Sequence, residues 1–174
     1  MIHPLYIISG EPRFDRLPVI KLLCSTQTPI NARIYAQAQI GLFDESLAIR
    51  LWAFETAPSP KSILKAVFES PQGEQMEVFA DATGKMKLII SGEEQTEHLT
   101  AHRISGEDLQ GEYWGAVMMV PIEIFKTVMA IDLIEKDTVI KGNVLKIHPS
   151  VSAVFLPLED SSEERICFGE FCVS

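Results

Sequence analysis

Apolar and polar residues alternate with a period of two along most of this sequence from residue 32 onward. Apolar side chains recur at every second position across Ala32–Ile40, and the alternation resumes across Leu47–Phe54 after the turn residues Asp44 and Glu45. Successive side chains of a β-strand point to opposite faces, so this pattern predicts a hairpin with one buried face. A helix would instead place its apolar residues three and four positions apart.

Shorter segments with strand character fill most of the remaining chain. They are predicted at residues 62–68, 76–80, 86–90, 114–120, 139–147, 153–158 and 166–173. Met76, Val78 and Ala80 are predicted to face Met86, Leu88 and Ile90 across a turn in which Gly84 is placed for a positive φ. The polar segment from Gly92 to Gly111 is predicted as a loop or weak edge structure. Ile122–Val128, with Pro121 in its first turn, is predicted as a short helix. The pattern indicates a mainly all-β fold, an antiparallel β-sandwich or jelly-roll-like arrangement with one or two short helices.

The composition is that of one folded domain. The chain has 174 residues, of which 47% are hydrophobic, and a net charge of −9. We expect a single domain over residues 1–174, with a lead-in at 1–25 and the sandwich core at 26–174. The negative charge disfavours nucleic acid and anionic membrane surfaces as partners. No apolar run approaches the roughly 18 residues of a membrane span, and no basic signal segment precedes Pro4, so a cytoplasmic location is expected.

The cysteines and histidines form no recognisable metal motif. Cys24, Cys167 and Cys172 include no C-x-x-C pair, and the four histidines lack zinc-ligand spacing. We therefore predict reduced, structural thiols and no cofactor. A structural calcium ion is compatible with a sandwich, but no cluster of oxygen ligands in the sequence supports one.

The first hairpin places a distinctive set of side chains on one face. If its turn is centred between Asp44 and Glu45, residues whose numbers sum to 89 lie opposite each other. The predicted pairs are Gln39 with Arg50, Gln37 with Trp52, and Tyr35 with Phe54.

Aromatic rings beside planar amide and guanidinium groups suit a sugar ligand. The C–H face of a pyranose stacks on an indole or phenol ring, and its hydroxyls need fixed donors and acceptors. The candidate ligand-binding residues are Trp52, Trp114, Arg50, Gln37 and Tyr35, with Trp114 on an opposing wall. In the structural alternative these aromatic side chains simply pack in the core, and Arg50 extends past them to water.

Three functions remain open from the residues. The first is non-catalytic binding of a carbohydrate or polyol. The second is a protein–protein interaction module on the same fold, which uses an acidic surface or an exposed strand edge. The third is a small glycoside hydrolase, which needs two opposed carboxylates that a sequence does not reveal. Without a G-x-S-x-G or phosphate-loop motif, we predict that the protein is not an enzyme.

The order of several short motifs resembles a known family. These motifs are the Ala/Gln-rich hairpin Ala32–Phe54, the strand Trp114–Pro121, Gly142-Asn143-x-x-Lys146, Phe155–Leu158 and Phe168-Gly169. Together, over about Thr26 to Ser174, they resemble the family 9-like carbohydrate-binding modules of the DOMON-like β-sandwich group. The resemblance implies an antiparallel sandwich, sugar binding between two tryptophans, and calcium as a structural ion.

Overall fold

The computed structural model describes residues 2–24, 28–155 and 168–174. This part of the chain contains fourteen strands and one α-helix. The strands are β1 (Ile2–Ile8), β2 (Ile20–Lys21), β3 (Leu23–Cys24), β4 (Ala36–Phe43), β5 (Ser46–Phe54), β6 (Ile63–Glu69), β7 (Gln75–Asp81), β8 (Met86–Ile90), β9 (Glu93–Glu94), β10 (Thr100–Asp108), β11 (Gly111–Pro121), β12 (Val139–Ile147), β13 (Ser152–Ala153) and β14 (Gly169–Val173). The helix α1 spans Ile122–Met129.

The strands form one curled, mixed sheet in the order β10-β11-β5-β4-β1-β14-β12-β6-β7-β8-β9. The sheet folds into two layers that face each other as a sandwich. The first layer contains β10, β11, β5 and β4, and the second contains β14, β12, β6, β7, β8 and β9. Strand β1 joins the layers because Ile2–Leu5 pairs in parallel with β14 and Tyr6–Ile8 pairs in parallel with β4. The predicted all-β sandwich is therefore confirmed, with parallel pairing at this junction.

The hydrophobic core lies between the two layers. Leu51 and Met118 of the first layer and Phe68 of the second are fully buried in it. Helix α1 covers one end, where Phe125 packs edge-on against Phe68 with 5.6 Å between ring centroids. The predicted helix is confirmed, although Pro121 precedes its first turn as the N-cap residue.

The predicted hairpin is formed by β4 and β5, and its register is confirmed. Gln39 lies opposite Arg50 and Gln37 lies opposite Trp52. The carbonyl of Tyr35 accepts a hydrogen bond from the N–H of Phe54 at 2.8 Å, which continues the pairing beyond β4. The alternation of the sequence thus fixes both the register and the face on which these side chains lie.

The β7–β8 hairpin also has its predicted register, with Val78 opposite Leu88. Gly84 in its turn adopts φ 95°. The carboxylate of Asp81 accepts hydrogen bonds from the backbone N–H of Thr83 at 2.9 Å and from the Thr83 hydroxyl at 2.6 Å. Burial alone would raise the pKa of Asp81, and the hydrogen bonds within the turn outweigh it and hold the pKa below its usual value.

The N-terminal residues contribute more to the sheet than a lead-in does. Strands β1, β2 and β3 all lie within the predicted lead-in, and Leu5 of β1 is fully buried. Pro4 interrupts the short apolar run, so the strand signal there is weak. Parallel pairing on both sides places this segment between the two layers all the same.

The segment Gly92–Gly111 contains a full strand where the sequence predicts a loop or weak edge structure. Strand β10 has nine residues, of which seven are exposed. It lies at the edge of the first layer and pairs with β11 alone among the described strands. Because an edge strand keeps polar side chains on both faces, it lacks the alternation that marks the inner strands.

The C-terminal strands are confirmed in part. Strand β12 has the predicted bounds, whereas β13 is limited to Ser152–Ala153 and β14 begins at Gly169. The predicted strand residues 156–158 and 166–167, the predicted loop at 159–164 and Cys167 lie outside the described residues. Cys24 and Cys172 are free thiols, as predicted for them.

Candidate functional site

The outer face of the first layer carries four of the five predicted ligand-binding residues. Together with Gln39, they form what we term the outer patch: Tyr35, Gln37, Gln39, Arg50 and Trp52. Register and alternation place them on one side of β4 and β5, facing away from the core. The structure therefore brings these side chains together as the sequence predicts.

Two polar side chains of the outer patch, Gln39 and Arg50, are already engaged within the protein. The amide of Gln39 donates to the carbonyls of Phe14 and Leu17, each at 2.8 Å, and its oxygen accepts from Arg50 at 3.5 Å. The guanidinium of Arg50 also lies over the ring of Trp52, 4.9 Å from its centroid. This cation–π contact covers one face of the indole, and only 7% of Trp52 is exposed.

Tyr35 is the exposed aromatic residue of the outer patch. Its exposed fraction is 64%, and it lies beside a cavity of 250 Å³ that Arg33 and Leu23 also line. Its phenol ring offers flat apolar surface, but Gln37 and Gln39 on the same face are buried and present little surface to a ligand.

Trp114 lies on the opposite face of the same layer. It is paired with Ala53, whereas Trp52 is paired with Gly115, so the two indoles point to different sides of the sheet. Trp114 belongs to the core cluster and is 3% exposed. The two tryptophans therefore do not form two walls of one cleft.

The indole N–H of Trp114 ends in a buried polar cluster. It donates to the carboxylate of Glu55 at 3.0 Å, and the hydroxyl of Ser62 donates to the other oxygen of that carboxylate at 3.1 Å. The ammonium of Lys146 lies 3.3 Å from Glu55 and donates to the carbonyl of His148. The cluster thus ties Trp114 and Glu55 in the first layer to Lys146 in the second.

Lys146 is fully buried, which makes its charge unusual. Burial lowers the pKa of its ammonium because a charged group loses its hydration there. The carboxylate of Glu55 raises the pKa of Lys146 and so offsets part of this lowering. The side chain of Glu55 is 9% exposed, so one end of this ion pair reaches the surface.

A cleft of 460 Å³ opens where Glu55 and Trp114 approach the surface. We term it the hairpin cleft, since the β10–β11 hairpin forms one wall and the segment after β5 forms the other. Its lining residues are Glu55, Thr56, Pro58, Arg103, Ser105, Gly106, Glu107, Glu112, Tyr113 and Trp114. Of the five predicted residues, only Trp114 contributes to it.

The register of the hairpin explains which side chains face the cleft. Arg103, Ser105 and Glu107 lie opposite Ala116, Trp114 and Glu112, so they share the inner face of the layer with Trp114. Within the described residues, the side chains of Arg103, Glu107 and Glu112 form no hydrogen bond or ion pair with the protein. One guanidinium and two carboxylates are thus free to meet a polar ligand.

Sequence reasoning missed the charged residues of this cleft. Arg103 and Glu107 fall in the segment predicted as a loop or weak edge structure, and Glu112 of β11 precedes the predicted strand that begins at Trp114. Polar residues fall on both faces of this strand, so no alternation marked Arg103 and Glu107 as sharing a face. Glu55 carries a weaker signal, an acidic residue directly after a strand that ends in Trp52-Ala53-Phe54.

Two further features bear on the sequence expectations. Within residues 2–24, 28–155 and 168–174, no three His, Cys, Asp or Glu side chains come together as metal ligands. In the same ranges, no helix combines the length and apolar content needed to cross a lipid bilayer.

The motif Gly142-Asn143-x-x-Lys146 has a structural explanation. The amide N–H of Asn143 donates to the carbonyl of Phe155 at 2.8 Å, and its oxygen accepts from the N–H of Phe155 at 3.0 Å. Asn143 therefore fixes the segment after β13 against β12. Lys146, three positions on, is the buried cation of the cluster around Glu55.

Solved structures share this fold along the whole chain. A protein from Bacteroides uniformis that is assigned a carbohydrate-binding role aligns over 100% of this chain and 98% of its own, with a TM-score of 0.66 and 11% identity. A family 9 carbohydrate-binding module from Caldicellulosiruptor kristjanssonii in complex with glucose aligns over 98% of this chain and 95% of its own, with a TM-score of 0.65 and 8% identity.

A family 9 module from Caldicellulosiruptor kristjanssonii in complex with cellotriose aligns over 87% of this chain and 84% of its own, with a TM-score of 0.58 and 8% identity. No protein-family profile matches the sequence, and no curated protein matches it. At these identities the likeness concerns the fold. The chain has the β-sandwich fold of the family 9 carbohydrate-binding modules.

Proposed function

We propose that this protein binds a neutral carbohydrate in the hairpin cleft and does not cleave it. The observation that carries the proposal is the likeness in fold, over 98% of this chain, to a family 9 module solved with glucose. A fold alone does not determine a ligand, so the proposal rests equally on the chemistry of the cleft.

The free groups of the hairpin cleft match the needs of sugar hydroxyls. Each hydroxyl both donates and accepts, and the cleft offers guanidinium donors from Arg103 and carboxylate acceptors from Glu107 and Glu112. Hydrogen bonds to charged groups are shorter and stronger than those between neutral groups. Tyr113 and Trp114 also line the cleft, where Trp114 is 3% exposed and its indole N–H is held by Glu55.

The size and charge of the cleft narrow the ligand class. Its 460 Å³ falls within the roughly 300–1,000 Å³ that is usual for small-ligand sites, which suits a short saccharide. Glu55, Glu107 and Glu112 outnumber Arg103, so the lining carries a negative charge. A uronic acid or sulfated sugar would be repelled, and a neutral sugar is therefore expected.

The arrangement of carboxylates supports a binding role without catalysis. Glu107 and Glu112 are cross-strand neighbours on one wall, whereas a glycosidase places its two carboxyl groups on opposite sides of the scissile bond. Glu55 on the other wall is committed to Trp114, Ser62 and Lys146. This engagement of Glu55 favours a structural role for its carboxylate over a catalytic one.

The outer patch is the competing location for the sugar. Trp52, Arg50, Gln37 and Tyr35 have suitable chemistry, but the Arg50 guanidinium already covers one face of Trp52. Binding there would require Arg50 to leave that ring. The hairpin cleft needs no such rearrangement, which is why it is the favoured site.

Isothermal titration calorimetry with glucose and cellotriose tests the function and the site together, with glucuronic acid as the charged comparison. We expect neutral sugars to bind. We expect Glu112→Ala to lose about tenfold or more in affinity, since a hydrogen bond to a charged group contributes about 1.5–3 kcal/mol. Glu97→Ala removes a carboxylate that is 68% exposed elsewhere and is the matched control.

The other outcomes discriminate between the alternatives. Loss of binding in Arg50→Ala, with full binding in Glu112→Ala, would move the sugar to the outer patch. No heat from any saccharide would remove the carbohydrate proposal. Release of shorter sugars during a long incubation with cellotriose would contradict the non-catalytic role.

A further inference from the structure

Strand β10 presents a long edge with no described neighbour. It pairs with β11 on one side, and its other side carries N–H and C=O groups that no described strand meets. At the far edge of the sheet, β9 has only two residues, so β10 is much the longer of the two terminal strands. An exposed edge of this length can pair with another strand.

Hydrogen-bond geometry restricts how β10 can pair with a second copy of itself. In an antiparallel ladder every second residue directs its N–H and C=O toward a given neighbour. The residues of β10 whose N–H and C=O groups point away from β11 are therefore all odd-numbered or all even-numbered. In a second copy they must lie opposite residues of that same set. Across a two-fold axis, the numbers of two opposed residues then sum to an even number.

The charges of β10 select one of these registers. With the axis at Ser105, Arg103 lies opposite Glu107 of the second copy, and this pair occurs twice. An axis at residue 103 or 107 would place that charged residue opposite its own copy, so two like charges would meet. An axis at residue 104 or 106 would bring no pair of opposite charges together. Opposite charges at directly opposed positions stabilise an antiparallel pair, and like charges destabilise it.

The side chains needed for this pairing are available. Arg103, Glu107 and Asp108 are exposed, and none forms an ion pair with the described residues. Leu109, in the turn that follows the last residue of β10, is also fully exposed beside this edge.

We infer that two copies of this chain associate through β10, antiparallel and centred on Ser105, to form one sheet continuous across the first layers of both copies. This goes beyond carbohydrate binding and does not depend on it. Arg103 and Glu107 line the hairpin cleft as well, so association brings two clefts side by side. The guanidinium has five N–H donors, which allows one edge to meet Glu107 of the second copy while other donors remain for a ligand.

Light scattering after size exclusion, together with a charge exchange, tests the association. We expect the native chain to elute at twice the 19.4 kDa of one copy at high concentration. Arg103→Glu and Glu107→Arg each place like charges opposite one another twice, and each should elute as a single copy. The double variant R103E/E107R restores opposite charges and should recover the doubled mass.

Glu112→Arg is the matched control, because Glu112 is exposed on the same hairpin but lies on β11, away from the edge. It should keep the doubled mass. A native chain that elutes as a single copy at every concentration would overturn the inference. So would a doubled mass that both single variants retain, since the association would then use another surface.

Cysteine cross-linking tests the register itself. Ser105→Cys places a thiol directly opposite its own copy at the axis, so mild oxidation should link the two chains. Thr100→Cys lies on the same strand, but its counterpart would be about 33 Å away at roughly 3.3 Å per residue, and it should not cross-link. Equal cross-linking of both variants, above that of the native chain, would contradict the proposed register.

Discussion

The ion pair between Glu55 and Lys146 provides the sharpest test of how the two layers are joined. Lys146 is fully buried, and Glu55 accepts hydrogen bonds from Trp114 and Ser62 while it neutralises the ammonium. The informative variants are Glu55→Gln, Lys146→Met and the two combined. Each replacement keeps a similar side-chain volume, so the change is mainly one of charge.

The expected magnitudes differ between the two single variants. Glu55→Gln leaves a buried ammonium without a counter-charge and should lower the free energy of unfolding by about 3 kcal/mol. Lys146→Met leaves a carboxylate that keeps two hydrogen bonds and some access to water, so about 2 kcal/mol is expected. The double variant leaves neither charge and should lose about 2.5 kcal/mol, which is about 2.5 kcal/mol less than the two single losses combined.

Urea unfolding followed by tryptophan fluorescence measures all four free energies, and Trp114 in the cluster makes the signal local as well as global. A coupling energy below about 0.5 kcal/mol would refute the reasoning, because the two charges would then contribute independently. A double variant less stable than Glu55→Gln alone would refute it as well. In that case the hydrogen bonds, rather than the charge pair, would dominate the cluster.

Three further predictions concern pH and packing. Because the pKa of Lys146 is lowered in the fold, the unfolded chain binds more protons than the folded chain between that pKa and about 10.5. In urea titrations, the native chain should therefore gain stability relative to Lys146→Met as pH rises through this interval. Asp81→Ala should lower the free energy of unfolding by about 1–2 kcal/mol at neutral pH, measured by thermal unfolding. This difference from the native chain should disappear as pH falls through the lowered pKa of Asp81, and a constant difference down to pH 2 would contradict the prediction. Gly115→Ala places its Cβ 2.0 Å from the Leu51 carbonyl oxygen and should lower the free energy of unfolding by about 3 kcal/mol. Gly73→Ala, at φ 86° with open space around it, should lower it by about 1 kcal/mol, and equal losses in the two variants would contradict the packing argument.

The strongly patterned strands could be predicted from the sequence, including their register. The alternation across β4 and β5 fixed which residues face the core, and the turn at Asp44 and Glu45 fixed which residues oppose each other. The same held for β7 and β8. Strand β10 was harder to recognise because both of its faces remain polar at the edge of the layer.

The candidate site was predicted only in part. Parity correctly grouped Tyr35, Gln37, Arg50 and Trp52, since neighbours on one hairpin need only local geometry. Trp114 lies on β11, whose register with β5 is set by contacts between residues distant in sequence. In that register Trp114 lies opposite Ala53, one position away from Trp52, so its indole points to the opposite face of the sheet. The charged wall formed by Arg103, Glu107 and Glu112 had no counterpart in the sequence prediction, because β10 is polar on both faces and was not recognised as a strand.

By itself, the sequence determined the class of fold, the hairpin registers and the absence of long apolar runs. These depend on the period of the side chains and on turn residues, which are local properties. Only the tertiary structure decided that Trp114 shares a buried cluster with Glu55 and Lys146, and that a cleft opens beside it. Such a cluster joins residues far apart in sequence, and its position depends on how two layers pack, which no local pattern records.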